Sequence, residues 1–148
     1  MTQKLTQSDY KTIAEKILTE SKSLFKLLDK LDSDLHTSDE ELTPSQAREY
    51  AKKACGAGNN LRKKLAKIAS IKLNEERNKY QLLKFEAEKN NEKFVSTVAD
   101  KEASWWVKDL RLARNILESY VNSAQDIISI CRMHVRSSDN SHEINANL

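Results

Sequence analysis

Apolar residues return every three or four positions along three stretches of this 148-residue chain, a spacing that predicts three long amphipathic helices. The first runs over residues 8–32, where Tyr10, Ile13, Ile17, Leu24, Leu27 and Leu31 form a stripe widened by Leu18, Phe25 and Leu28. Ser8 is its expected N-cap, with Asp9 favoured at the positive end of the helix dipole. The polar, acidic stretch from Asp32 to Glu41 breaks the periodicity and reads as a loop or linker, in which Leu35 alone could pack.

Thr43-Pro44-Ser45-Gln46 predicts the start of the second helix, over residues 44–90. Thr43 can cap, Pro44 sits where its missing N–H costs nothing, and Gln46 can complete a capping box. Gly56-Ala57-Gly58-Asn59-Asn60 predicts a break or bend, each glycine costing about 1 kcal/mol relative to alanine in a helix interior. The pattern resumes at Leu61, continues through Leu65, Ile68, Leu73, Tyr80 and Leu83, and runs out near Asn90-Asn91.

The third helix, over residues 100–136, carries the clearest pattern. Trp106, Leu110, Ala113, Leu117, Tyr120, Ala124, Ile127 and Cys131 follow the alternating steps of a coiled-coil seam. Thr97 or Asp100 would cap it. Ile116, Val121 and Ile128 flank the seam, more apolar circumference than a three-helix monomer readily covers, so the seam is expected to assemble a homo-oligomer. Residues 137–148 lack periodic apolar positions and are expected to be a disordered tail. The expected fold is therefore all-α, one helical domain over residues 1–136, with long amphipathic helices in a bundle or coiled-coil-like assembly.

Composition agrees: two glycines and one proline in the whole chain leave helices few interruptions. Cys55 and Cys131 read as two buried, reduced thiols rather than a disulfide framework. No apolar run approaches the roughly 18 residues of a membrane span, and no export signal opens the chain, so a cytoplasmic, membrane-free protein is expected.

Charge alters the picture further. The net +3 conceals balances of −3 over residues 1–43, +8 over residues 48–84 and −2 over residues 85–148. Such asymmetry points to a polyanionic partner for the middle segment. Arg62, Lys63, Lys64 and Lys67 surround the apolar Leu61, Leu65 and Ile68, with Lys63 and Lys67 pointing away from that stripe. Lys72, Arg77, Lys79 and Lys84 extend this ridge, and Lys52 and Lys53 add to its other end. Acids are scarce between Glu49 and Glu75, so ion pairs along the helix cannot account for it. Tyr80 and Trp105 are the aromatics placed to stack on unpaired bases, whereas Trp106, Tyr120 and Phe94 fall on apolar stripes and read as core.

Nothing in the chain resembles a catalytic constellation. His36, His134 and His142 are scattered, and there is no phosphate-binding glycine loop, zinc-spaced cysteine pair or calcium loop. The expectation is a binding protein without cofactor or metal, and not an enzyme. No helix carries the signature of a duplex reader, so contact with the backbone of nucleic acid is favoured over base reading.

The layout resembles the UvsY-type recombination mediators of tailed bacteriophages over roughly residues 60–136. The likeness lies in the basic helix from Asn60-Leu61-Arg62-Lys63-Lys64-Leu65 onward, a short break, and Val98-Ala99-Asp100-Lys101 introducing a long apolar helix led by aromatics. Residues 1–43 fall outside it. The resemblance implies a cofactor-free homo-oligomer in the host cytoplasm. It would bind single-stranded DNA and contact a RecA-like recombinase and a single-strand binding protein, loading the recombinase onto the strand. Lys63, Lys64 and Lys67 would then touch phosphates. A reading of a different class is a helical adaptor or inhibitor whose basic ridge meets an acidic protein surface.

Overall fold

A computed structural model describes residues 4–37 and 41–146. Among them the fold is all-α, a helical bundle of four helices: α1 (Gln7–Thr37), α2 (Pro44–Lys89), α3 (Ser96–Trp106) and α4 (Lys108–Ala146). The chain divides into two compact units. One comprises residues up to Glu20 together with Lys64–Ile116, and the other Ser21–Lys63 together with the chain from Leu117 onward.

Helix α1 begins one residue before Ser8, because Thr6 and not Ser8 is the cap. The Thr6 hydroxyl accepts from the Asp9 amide at 3.3 Å, and the Asp9 carboxylate accepts in return from the Thr6 amide at 2.7 Å. These bonds hold the Asp9 carboxyl below its ordinary pKa. The helix also continues through the acidic stretch expected to be a loop. His36 lies 3.3 Å from the Asp32 carboxylate, and the Thr37 hydroxyl donates to the Ser33 carbonyl at 2.7 Å, so the last turn is tied down by its own side chains. Residues 38–40 of the expected linker lie outside the described residues.

The start of α2 is as the sequence predicts. The Gln46 amide donates to the Thr43 hydroxyl at 3.2 Å, and the Gln46 side chain accepts from the Thr43 amide at 3.0 Å. The helix then runs without interruption through Gly56–Asn60, where a break or bend was expected. Gly58 is buried instead, and a Cβ there would stand 3.0 Å from that of Ala124, so this glycine serves the close approach of α2 to α4. At its far end α2 closes on Asn91, whose φ of 54° is the left-handed turn that ends many helices. The Glu92 amide reaches back to the Ala87 carbonyl at 2.9 Å and the Asn91 amide to Glu88 at 3.3 Å.

The expected third helix is two helices. The chain enters α3 from extended Val95, with no side-chain cap, so Thr97 and Asp100 both lie inside the helix rather than at its start. It leaves helical geometry at Val107 (φ −102°, ψ 23°), whose fully buried side chain holds the join in the core. Helix α4 then extends to Ala146, so residues 137–146 are helical where a disordered tail was expected; residues 147 and 148 lie outside the described residues. Neither glycine nor proline occurs after Gly58, so nothing in this stretch forces a helix to stop.

Each unit has its own core. In the first, Tyr10, Ala14 and Ile17 of α1 are buried, as are Ile68 of α2, Ala99 and Ala103 of α3, and Leu110 and Ala113 of α4. In the second, Leu28, Leu31, Ala54, Ala57, Leu61, Leu117, Ala124 and Ile127 are buried. The α2 seam steps by sevens through Ala47, Ala54, Leu61 and Ile68, the repeat of helices packed at a shallow angle. Cys131 belongs to this core and its thiol is pushed up by burial, but Cys55 is exposed, against expectation, because its neighbours Ala54 and Ala57 take the inward face.

Candidate nucleic-acid interface

The basic residues of α2 separate by their surroundings. Lys72 is half-buried and paired with Glu76 at 2.5 Å, so its charge is neutralised within the helix. Lys79 is also half-buried, its ammonium 4.3 Å from the Trp106 ring centre in a cation–π contact. Lys64 is half-buried as well. Lys67, Arg77 and Lys84, in contrast, are exposed and make no hydrogen bond or ion pair among the described residues. Arg62 and Lys63 belong to the other unit. There the Arg62 guanidinium donates to Gln125 at 3.0 Å and to Asn59 at 3.3 Å, while Lys63 is exposed.

Helical geometry explains the division. At about 100° per residue, Lys67, Arg77 and Lys84 fall within roughly 100° of circumference and span about 25 Å along the axis. Ser70, Asn74 and Gln81 fill the same arc, and no acid lies on it between Lys67 and Lys84. Glu75 and Glu76 point elsewhere, Glu75 accepting from the buried Tyr10 hydroxyl at 2.6 Å. The result is a neutral-to-basic face held by an α-helix whose other side is fixed in a core.

The aromatics sort differently from expectation. The Tyr80 ring is half-buried, with Phe94 edge-on at 5.6 Å between ring centres, which occupies one side of it. Tyr80 and Arg77 line a groove of about 730 Å³ that Glu76 and Asp100 also line, so two carboxylates stand beside that ring. Trp105 is 55% exposed, with the Lys108 ammonium 4.6 Å from its ring centre. Phe85, which the periodicity of α2 did not single out, is 62% exposed and falls in the same arc as Lys67, Arg77 and Lys84. An exposed aromatic adjoining Lys84 was the available signal.

The coiled-coil seam is covered within the chain. Leu110, Ala113, Leu117, Ile127 and Cys131 are fully buried and Ala124 is 1% exposed. Tyr120 stacks on Phe25 at 4.1 Å, and its hydroxyl donates to Asp29 at 3.1 Å; burial and this bond raise its pKa. Trp106, at the head of the predicted seam, ends α3, its carbonyl accepting from the Gln7 side chain at 3.3 Å. Of the flanking positions Val121 is buried, while Ile116 and Ile128 are half-buried.

A second basic group, which the sequence pattern did not reveal, lies in the unit that holds Ser21–Lys63. Arg48 of α2 meets Arg132 and Arg136 of α4 around a groove of about 230 Å³. No group of three or more metal-ligating side chains occurs among the described residues, and no described helix is long and apolar enough to cross a membrane. Comparison with protein-family models, with characterised proteins and with solved structures found no match to this chain.

Proposed function

We propose that the chain binds single-stranded DNA through the α2 face of Lys67, Arg77, Lys84 and Phe85. The observation that carries this reading is three exposed cations that make no hydrogen bond or ion pair among the described residues, spread over about 25 Å of one helix, with Glu76 and Asp100 lining the groove beside Arg77 alone. A lysine face that merely solvates a helix is ordinarily interleaved with acids at i,i+4, whereas here Lys67 and Arg77 have Ile71 and Gln81 at that step and only Lys84 has an acid, Glu88, with which it forms no ion pair among the described residues. Phe85 adds an exposed ring beside the cations, the combination by which single strands are held without regard to sequence.

The resemblance to UvsY-type mediators extends the proposal to a role: placing a RecA-like recombinase on a strand otherwise covered by single-strand binding protein. In that role the α2 face holds the DNA. A second reading has one observation in its favour. Val98, Trp105 and Leu112, seven residues apart, are each more than half exposed, as a surface for a partner helix would be.

The deciding experiment is anisotropy of a labelled single-stranded oligonucleotide titrated with protein at several salt concentrations, beside a duplex of the same sequence. The expected result is salt-sensitive binding that favours the single strand and collapses on charge reversal of Lys67, Arg77 and Lys84. Unchanged affinity at low salt after that reversal sinks the reading. Absence of any binding by the wild type leaves the helical interaction module.

A further inference from the structure

We infer that the groove between Arg48 of α2 and Arg132 and Arg136 of α4 is a separate phosphate-binding site for single-stranded nucleic acid. This rests on the single-strand reading above and adds to it a site in the other compact unit. Helix periodicity places Arg132 and Arg136 one turn apart on the same side of α4, and the fold brings Arg48, 84 positions away in the chain, to the opposite wall. Between them the floor is apolar, made by Ala47, Ala51 and Val135.

Three features separate this groove from an ordinary solvated surface. No carboxylate lines it among the described residues, and the three guanidinium groups make no hydrogen bond or ion pair there, so nothing in the groove neutralises them. The adjoining groove, which shares Arg132, is lined by Arg62, Asn59 and Gln125 and likewise lacks an acid. The residue choice is also selective: the chain has 18 lysines and only seven arginines, yet four of the seven line these two grooves. Arginine differs from lysine in presenting a planar fork that grips two phosphate oxygens at once and a flat face on which a base can lie.

The occupant follows from charge and size. Guanidinium groups with no carboxylate beside them among the described residues call for a polyanion, and about 230 Å³ over a floor of small side chains admits part of a strand but no element of a folded partner. A single strand supplies both parts, phosphates for the arginine walls and a base or sugar for the apolar floor.

The test compares three forms of the full chain by oligonucleotide anisotropy across a salt series. They are the wild type, a groove variant (Arg48→Gln, Arg132→Gln, Arg136→Gln) and a face variant (Lys67→Gln, Arg77→Gln, Lys84→Gln). All three arginines are exposed, and helical circular dichroism verifies that the variants fold. The groove variant should bind about tenfold or more weakly at moderate salt. Its slope of log affinity against log salt should fall by about 2, near 0.7 for each phosphate no longer neutralised. A matched variant with lysine at the three positions should keep the slope but not the full affinity, since it retains charge without the fork. Wild-type affinity and slope in the groove variant, with weakening confined to the face variant, would overturn the groove while leaving the α2 reading intact. Weakening confined to the groove variant would support the groove and remove the α2 face. Binding to anionic lipid vesicles but to no oligonucleotide would overturn both.

Discussion

Gly58 faces Ala124 so closely that a Cβ added to the glycine would stand 3.0 Å from the alanine's own. Ala124 has no rotamer with which to yield, so the helices themselves would have to separate. Gly56, two residues earlier, is exposed, with nothing within 4 Å of an added Cβ. The two glycines should therefore respond oppositely to alanine. Gly56→Ala is expected to stabilise the protein by about 0.5–1 kcal/mol, the usual gain in a helix interior. Gly58→Ala should forfeit that gain and destabilise by about 1–3 kcal/mol through overpacking. Denaturant midpoints measure both, and equal stabilisation by the two substitutions would show that α2 and α4 have room to spare at this crossing.

Tyr10 ties α1 to α2 through its hydroxyl, which donates to the Glu75 carboxylate at 2.6 Å. Burial first, and then the bond to Glu75, push its pKa up to about 12. The folded state thus favours the neutral phenol. The resulting stabilisation is complete below the unfolded value near 10 and is lost as pH rises towards 12. Tyr10→Phe should be less stable at neutral pH by about 1.5–3 kcal/mol, the range for a hydrogen bond to a charged group. It should also lose stability less steeply between pH 10 and 12. Tyr120, raised in the same direction, keeps some slope in the variant. Identical slopes for the two proteins, followed by denaturant midpoints at stepped pH, would separate Tyr10 from the alkaline transition.

What could be read from the sequence was local. The Thr43–Gln46 capping box and the end of α2 near Asn91 depend on neighbours within a few residues, and both stand as the sequence indicates. The all-α fold follows from periodicity summed over long windows. Features that depend on another helix could not be read this way. Gly56–Asn60 carries the local signature of a break, and only the presence of Ala124 opposite explains why Gly58 sits in an unbroken helix. Val107 interrupts α3 and α4 without a glycine or proline to mark it. Of the basic ridge, spacing identified the cations, and the i,i+4 step from Lys72 to Glu76 was legible too, but the contact of Lys79 with Trp106 depends on another helix and was not. Arg48, Arg132 and Arg136 come together only in the fold.

Phe85 and Tyr80, two of the three α2 aromatics, have roles that the structure separates. Phe85 is largely exposed, so Phe85→Ala should change stability by no more than about 0.5 kcal/mol. If its ring stacks on a base, the same substitution should weaken oligonucleotide binding by about 1–3 kcal/mol. Tyr80→Ala should show the reverse, because its ring packs against Phe94 and little of it is free to stack. Anisotropy and thermal melting on the two variants give a crossed pattern under this assignment. Weaker binding by Tyr80→Ala at unchanged stability would return the stacking role to Tyr80.

Leu117 decides what the coiled-coil seam of α4 is for. Its side chain is fully buried in the unit that also contains Leu28, Leu61 and Ala124. A seam that joined copies of the chain would be buried only in the assembly, and its truncation would be offset by mass action as protein concentration rises. A seam buried within one chain has no such dependence. Leu117→Ala should therefore lower stability by about 2–5 kcal/mol, the cost of a large-to-small change in a packed core, by the same amount at micromolar and at hundreds of micromolar protein. Melting curves over that concentration range read the difference directly. A deficit that shrinks as concentration rises would mean that α4 gains part of its cover from a second chain.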